Sequence, residues 1–410
     1  MKNFETKSAL VFNCNYNGLS IIQSLGRCGV QVYALDNVRN VGTFSRYAQF
    51  WRCPDPLDSE DAFIDFLLEK AKAFTSKPVL FPTNDHWAMA ISKHKKLLQR
   101  YYIPCVADWE TVEILIYKEK FYPWAMNHKY PVPLLYSKDE LLNPGSTVYP
   151  VVAKPKYRRI SNLPQNIQNL PDKLDKNRMV IIKNVDALKN YLAVNEEILP
   201  YIIFQEYIPG MADRMYTIGV YANVENIVLG EFTGRKVRGF PPDIGDCMVG
   251  QAEKLPAQLS DLVMKIVTEL KYQGIAEFEF KRSLKTNEFK LMEINPRSWS
   301  WIGITPACGV NLPWIAFADL TWKANISFTQ SQVDNGDVKY INLIEDFLNC
   351  LHNNKKAGFP EYQMNIGQWM HSLRAKKKVY AGMCWDDPLP MLNTVNRLIF
   401  NNLISRLKIH

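Results

Sequence analysis

Polar and apolar residues alternate most clearly between residues 274 and 297. In Ala276-Glu277-Phe278-Glu279-Phe280 the apolar side chains fall on one face of a strand and the glutamates on the other. In Leu291-Met292-Glu293-Ile294-Asn295-Pro296-Arg297, residues Leu291, Glu293 and Asn295 share a face, and Met292 and Ile294 take the opposite one. The Lys-, Arg-, Thr- and Asn-bearing stretch between the two runs predicts a loop, so the pair predicts an antiparallel hairpin. Earlier in the chain, Ser8-Ala9-Leu10-Val11-Phe12 reads as a buried strand. Leu19 to Gly26 reads as a helix with Ile21, Ile22 and Leu25 at helical spacing and Gly29 as its stop, and Val30 to Asp36 as the next strand. Val79 to Asp85 repeats the apolar strand followed by a polar loop. This order predicts an open parallel α/β sheet. Thr111 to Met126 predicts a helical stretch, Tyr149 to Pro155 and Tyr201 to Gly210 apolar strands, and Leu255 to Leu270 an amphipathic helix.

The length of 410 residues exceeds one ordinary core and predicts two or three domains. Hydrophobic residues at 47% and charged residues at 22% describe a globular chain. No apolar run reaches the length of a membrane span and the first residues lack a secretory h-region, so the cytoplasm is the expected location. The eight cysteines are scattered singly with no Cys-x-x-Cys pair, so neither a disulfide framework nor a zinc knuckle is suggested. The net charge of +8 is mild, and its clusters, such as Lys93-His94-Lys95-Lys96, are short. No zinc-finger or single-strand RNA signature accompanies it, so no nucleic-acid partner is expected. The basic amphipathic run Leu392 to Ile409 is expected to dock on the body, with a membrane surface as the lesser alternative.

The hairpin brings two carboxylates and an amide oxygen to one side of a sheet. Carboxylates that close repel unless a cation or a proton lies between them. Hard oxygen ligands of this kind suit Mg²⁺. A half-buried hairpin with a solvated acidic face is the alternative. Arg297, two residues after Asn295, can supply a counter-charge on the same side.

Glu-Phe-Glu-Phe followed by Glu-Ile-Asn-Pro-Arg resembles the metal-binding end of the ATP-grasp ligases. The resemblance implies that Glu279, Glu293 and Asn295 hold Mg²⁺, with Mn²⁺ as a substitute, and that Arg297 holds the acyl-phosphate or carboxylate end of a substrate. Other pieces follow in order. Lys118, rather than Lys120, matches the lysine ahead of a helix leading to a Pro-containing turn, here Tyr130-Pro131-Val132-Pro133, and Pro-Val-Val-Ala-Lys154-Pro matches the second phosphate lysine. The chain departs from the family at the Gly-rich phosphate loop. It continues Lys156-Tyr157-Arg158-Arg159-Ile160-Ser161-Asn162 and has no glycine between Gly145 and Gly210. Asn162 to Asp175 is expected as a lid insertion. Gln205, Glu206, Tyr207 and Pro209 match the hinge along the adenine edge, and Asp213 the ribose-binding acid. Phe-Thr-Gly-Arg235-Lys236-Val-Arg238 resembles a subgroup that includes D-aspartate ligase. Alternation puts Lys236 and Arg238 on one face and Arg235 on the other. Beside the Mg²⁺ that the resemblance implies, Arg235 is expected to serve the nucleotide and Lys236 and Arg238 the acid substrate; a basic edge strand is the alternative.

The implied architecture is an α/β and α+β multidomain chain. Residues 1–112 form a pre-ATP-grasp α/β domain, residues 113–330 the ATP-grasp core with a lid about 130–205, and residues 331–410 an extension. Asn17, Gly18, Ser45, Arg46 and Asp85 of the first domain are substrate candidates, or capping and turn residues. The implied reaction joins a small-molecule carboxylate, that of an amino acid or similar acid, to an amine. It runs through an acyl-phosphate, with Lys236, Arg238 and Arg297 about the reacting groups and ATP converted to ADP. A non-catalytic nucleotide-binding regulator and an ATP-dependent carboxylase are the alternatives.

Overall fold

The computed structural model describes residues 7–143, 145, 149–156, 170–243, 245–322 and 326–396. The basic run beyond Lys156, much of the expected lid insertion and most of the C-terminal amphipathic run lie outside these residues.

The first sheet is parallel and has five strands: β1 (Ser8–Phe12), β2 (Gln31–Asp36), β3 (Ala48–Arg52), β4 (Val79–Pro82) and β5 (Ile103–Pro104). β1 is buried along its whole length, as an unbroken apolar run in the middle of a parallel sheet requires. The order is β3-β2-β1-β4-β5, so the chain reverses direction between β1 and β4. Loops at the carboxyl ends of those two strands border the crevice in which such sheets bind ligands. Thr83 ties them together, its hydroxyl donating to the carbonyls of Phe12 and Asn13 at 2.8 and 2.7 Å. The side-chain amide of Asn17 donates to the Thr83 carbonyl from the other side. The first helix spans Tyr16–Arg27, starting ahead of the expected Leu19, and ends against Gly29, whose φ of +79° suits glycine.

A small antiparallel sheet follows, built of β6 (Leu135–Tyr136), β7 (Val151–Pro155), β8 (Val180–Ile182) and β9 (Ile202–Glu206) in the order β6-β9-β7-β8. The large sheet has eight strands: β10 (Met215–Ala222), β11 (Val228–Phe240), β12 (Asp246–Ala252), β13 (Gly274–Arg282), β14 (Phe289–Asn295), β15 (Thr329–Gln330), β16 (Val338–Ile341) and β17 (Lys377–Tyr380). Its order is β14-β13-β10-β11-β12-β16-β17, with β15 beside β11. The segment expected as an extension thus contributes β16 and β17 to the edge of this sheet.

The expected hairpin is β13–β14, with one difference. Glu279 pairs with Glu293 and Phe280 with Leu291, so Met292 is an extra residue in the ladder. The bulge breaks the alternation and turns Leu291 to the apolar face, away from Glu293. There Phe278, Phe280, Leu291 and Ile294 pack into one core with Val263, Ile266 and Val267 of the helix Ala257–Glu269. Burying each phenylalanine stabilises by roughly 1.5–3 kcal/mol. That fixes which way the glutamates point, because a one-residue slip of β13 would send them into the core. On the opposite face, Trp299 and Trp301 pack against Phe232 with ring centroids 6.2 and 5.5 Å apart. A Cβ on Gly219 would lie 2.0 Å from the Trp299 ring, so β10 needs glycine there. This shelf anchors the chain immediately after Arg297.

Candidate active site

The polar face of β13–β14 carries the chemistry. Glu279 stands directly across from Glu293, and Glu277 across from Asn295. Glu277 is buried and fully engaged. Its carboxylate accepts from Thr217 Oγ1 and from Asn295 Nδ2, each at 3.0 Å. Burial, and then the charge of Glu279, push its carboxyl well above the usual range. Lys236 reaches over from β11, its Nζ 3.4 Å from Glu279 Oε2. Burial alone would lower the Lys236 ammonium, but Glu279 and Glu277 outweigh it and hold the group above its usual range. Lys236 is therefore a fixed positive charge against the acidic pair.

Arg297 joins this face to the first domain. Its Nη2 donates to Asn295 Oδ1 and its Nε to Asp85 Oδ1, both at 2.9 Å, while Nη1 holds the Ser298 carbonyl at 2.9 Å. Asp85 opens the helix that follows β4, at the strand-order reversal. Of the first-domain candidates, Asn17, Gly18 and Asp85 lie at this crevice. Ser45 and Arg46 do not. The Ser45 hydroxyl and the Arg46 backbone N–H donate to the buried Asp387 at 2.6 and 2.9 Å, so these two residues hold the C-terminal segment in place.

The nucleotide side, as the sequence reads it, centres on Lys154 at the end of β7. Its ammonium donates to the Tyr122 hydroxyl at 3.0 Å and lies 5.2 Å from the Tyr122 ring centroid. Tyr122 in turn donates to the Met292 carbonyl at 2.7 Å, beside Glu293. Lys154 keeps part of its surface in solvent, yet the protein around its ammonium pushes it down to about 8, with Glu293 opposing. The expected helical stretch is two helices, Trp109–Ile116 and Lys118–Asn127, broken at the extended Tyr117. The break puts Lys118 at a helix N-terminus, where a cation is disfavoured by the helix dipole. Lys120 pairs outward with Glu113 at 2.8 Å.

Gln205 is buried at the end of β9, its side-chain amide beside the Tyr122 hydroxyl. Glu206 exchanges bonds with Leu134, through backbone N–H to carbonyl at 2.8 Å and through its carboxylate at 3.1 Å. Tyr207 and Pro209 continue toward Asp213. Arg235 donates to the Asp213 carbonyl at 3.1 Å and to Glu253 at 2.7 Å, on the side away from Lys236, as alternation requires.

Arg238 departs from expectation. Register shifts flank it on β11, so it does not share a face with Lys236. Its fork closes on Asp346 at 2.8 and 2.7 Å, and its Nη1 donates to Ser372 at 2.8 Å. Both partners belong to the C-terminal segment, so Arg238 is an anchor for that segment and not part of the acidic face. Three residues absent from the sequence-based set do belong: Glu277, Tyr122 and Lys281. Two-residue spacing along β13 already aligns Glu277, Glu279 and Lys281.

Among the described residues no three His, Cys, Asp or Glu side chains converge as a ready metal cage. Glu279, Glu293 and the Asn295 amide oxygen nevertheless fit Mg²⁺, which fills the rest of its octahedron with water and substrate phosphates. The desolvated Lys154 fits an anionic ligand.

The fold has clear counterparts. N5-carboxyaminoimidazole synthetase from Staphylococcus aureus superposes with a TM-score of 0.62 at 14% identity, over 88% of this chain and 89% of that one. The biotin carboxylase domain of Hydrogenobacter thermophilus 2-oxoglutarate carboxylase, bound to MgADP, ADP and bicarbonate, does so at 0.59 and 16%, over 82% and 74%. The chain has the ATP-grasp fold. The L-amino acid ligase from Bacillus licheniformis is a third ATP-grasp neighbour, with a TM-score of 0.55 at 16% identity, over 78% of this chain and 75% of that one. In sequence, the D-aspartate ligase of Enterococcus faecium (strain Aus0004) is 24% identical over 271 residues, 62% of this chain. The chain spans 62% of the length of that relative. No protein-family model matches the chain. No helix among its described residues is long and apolar enough to cross a membrane.

Proposed function

We propose that the chain is an ATP-dependent, ADP-forming ligase that joins a small-molecule carboxylate to an amine. The observation that carries this reading is the pairing of Glu279 with Glu293 on a face shared with Lys236, linked through Asn295 and Arg297 to Asp85. A phosphoryl-transfer centre and a substrate crevice are thereby in contact. By their names, the ligases that this chain resembles in sequence or fold act on amino acids. An amino acid or similar small acid is accordingly the proposed substrate class.

In this reading Lys118 and Lys154 face the phosphates, Gln205, Glu206, Tyr207 and Pro209 the adenine edge, and Asp213 the ribose, while Arg235, expected at the nucleotide, is held by Glu253 on the other side of the sheet. Mg²⁺ held by Glu279, Glu293 and Asn295, or Mn²⁺ in its place, would supply charge neutralisation at the phosphates. The carboxylate oxygen bonds to the γ-phosphorus and ADP leaves with the bridging oxygen. The amine nitrogen then bonds to the acyl carbon, phosphate departs, and one proton is released. Lys236 and Arg297 hold positive charge where oxyanions develop, which is electrostatic work. Protonation of Glu277 would let it keep its two hydrogen bonds while reducing repulsion at Glu279.

The test is release of ADP and phosphate from ATP across a panel of acid and amine pairs. Acid-dependent ADP formation with an amide product is expected. AMP with pyrophosphate, or no acid-dependent turnover, would refute the reading. ADP release with bicarbonate as the sole acid would favour a carboxylase.

A further inference from the structure

A buried lysine lies beneath the hinge, and the proposed machinery does not yet use it. Lys281 is 6% exposed and follows Glu277 and Glu279 at two-residue steps on β13. It pairs with Met215 of β10 while Glu279 pairs with Thr217, so the ladder stays regular and Lys281 projects from the polar face. Other cations of this face have polar partners: Lys236 has Glu279, Lys154 the Tyr122 hydroxyl, and Arg297 Asp85. Among the described residues Lys281 forms no hydrogen bond or ion pair, and its ammonium lies 5.8 Å from the Tyr207 ring centroid. A Cβ on Gly210 would come within 3.7 Å of Lys281 Cε, so the turn after the hinge lies over its stem.

An ammonium taken out of water without an anion is destabilising, and a methionine of similar length would fill the same space without that penalty. Burial and the charge of Lys154 oppose the Lys281 ammonium, whereas Asp243 and Asp213 favour it. Asp213 stands two residues ahead of Met215, the partner of Lys281 on β10. Under the nucleotide reading, Lys154 belongs to the phosphates and Asp213 to the ribose. The anionic group between a ribose and the outer phosphates is the α-phosphate.

We propose that Lys281 is a specificity-determining residue of the nucleotide pocket that binds the α-phosphate from beneath the hinge. The proposal rests on the nucleotide reading of this cleft. It assigns part of the phosphate recognition that a Gly-rich loop would otherwise provide to a side chain on the sheet.

The experiment is calorimetric titration of the full chain with adenosine, AMP, ADP and ATP, for the wild type and Lys281→Met. Affinity for AMP, ADP and ATP should fall by about tenfold or more in the variant, the effect of one charge-assisted hydrogen bond. Adenosine should bind both proteins alike. The melting temperature of the ligand-free variant should equal or exceed that of the wild type, which a purely structural lysine would not allow. Unchanged AMP affinity, or an equal loss for adenosine and AMP, would overturn the proposal. Failure of the wild type to bind any adenine nucleotide would overturn the nucleotide reading with it, and the two failures are told apart by the wild-type titration.

Discussion

Lys236 and Arg238 stand two residues apart on β11, and both bury positive charge against carboxylates. Around Arg238 every strong group is satisfied. Its fork holds both oxygens of Asp346, and Trp369 Nε1 donates to the same carboxylate at 2.8 Å. Around Lys236 the balance is left open. Its ammonium is 3.4 Å from a carboxylate that has a second carboxylate opposite, Glu277 is pushed toward its neutral form, and Lys154 is pushed toward its own. A closed network of buried charge builds structure. An open one keeps electrostatic free energy that a charged ligand can relieve. The contrast separates the Arg238 anchor from the candidate site more sharply than sequence spacing does.

Breaking the open side should cost activity and spare stability. Glu293→Gln keeps the shape and removes one anionic ligand. We expect kcat for ADP formation to fall by about 10³-fold, ~4 kcal/mol of barrier, with the melting temperature unchanged. Steady-state kinetics and thermal melts of the purified variant check this. Wild-type turnover at saturating Mg²⁺ would remove Glu293 from the site.

Breaking the closed side should do the reverse. Arg238→Met leaves Asp346 buried without its counter-charge, which should lower unfolding free energy by about 3 kcal/mol or more. Adding Asp346→Leu should restore much of that loss, because the pair as a whole contributes less than either partner alone leaves exposed to the cost. KM for ATP should stay within about twofold, since Arg238 faces the C-terminal segment. Urea unfolding of the single and double variants measures the first effect. A rise in KM for ATP at unchanged stability would put Arg238 back in the site.

The two sides should also answer differently to pH. Lys154 has a folded pKa of about 8 against its ordinary 10.5, so its charged form is disfavoured on folding. Below about 8 the folded state carries the full penalty. Between about 8 and 10.5 the unfolded chain binds more protons than the folded one, so stability rises with pH through that window. Lys154→Met should therefore stabilise the ligand-free chain most near neutrality and least near pH 10. Nucleotide affinity of the wild type should fall over the same window as Lys154 loses its proton. A variant-to-wild-type difference that is flat in pH would place Lys154 in a more solvated setting.

Much of this was legible because period-two alternation survives wherever a strand has one apolar face. Phe278 and Phe280 fix the orientation of Glu279, and the pairing with Glu293 follows. Alternation failed where a bulge inserts a residue. Met292 turned Leu291 inward, and the irregular ladder around Arg238 removed it from the Lys236 face. Local pattern carries no information on register shifts, which depend on the partner strand. The anchoring of Ser45 and Arg46 by Asp387 joins segments 341 residues or more apart, and no local signal announces such a contact. Lys281 was readable in principle, at the same spacing as the glutamates, but it sat at the start of a basic loop and was counted with it.

The smallest effect tests whether burial, rather than geometry, distinguishes the ion pairs. Arg27 grips Asp386 at 2.7 and 2.9 Å, and the Tyr47 hydroxyl donates to the same carboxylate at 2.7 Å. The Arg27 hydrogen bonds hold the Asp386 carboxyl below its usual range, so this fork looks as strong as the one at Arg238. Its side chains are 41% and 44% exposed, however, against 10% and 1% for Arg238 and Asp346. Water screens an exposed pair, and ordering two long side chains offsets part of the attraction. Arg27→Ala should therefore lower stability by no more than ~1 kcal/mol, and the loss should shrink further between about 0.1 and 1 M salt as the Debye length falls from roughly 10 to 3 Å. The depressed Asp386 pKa sets the sign of the pH dependence: the contribution is present above the ordinary carboxylate value and is lost as pH falls below it. Arg238→Met should show neither sensitivity to the same degree, because its pair is shielded from solvent ions. Urea midpoints of both variants at two salt concentrations give the comparison. A loss at Arg27 above ~2 kcal/mol that ignores salt would mean that fork geometry, and not burial, sets the worth of these pairs.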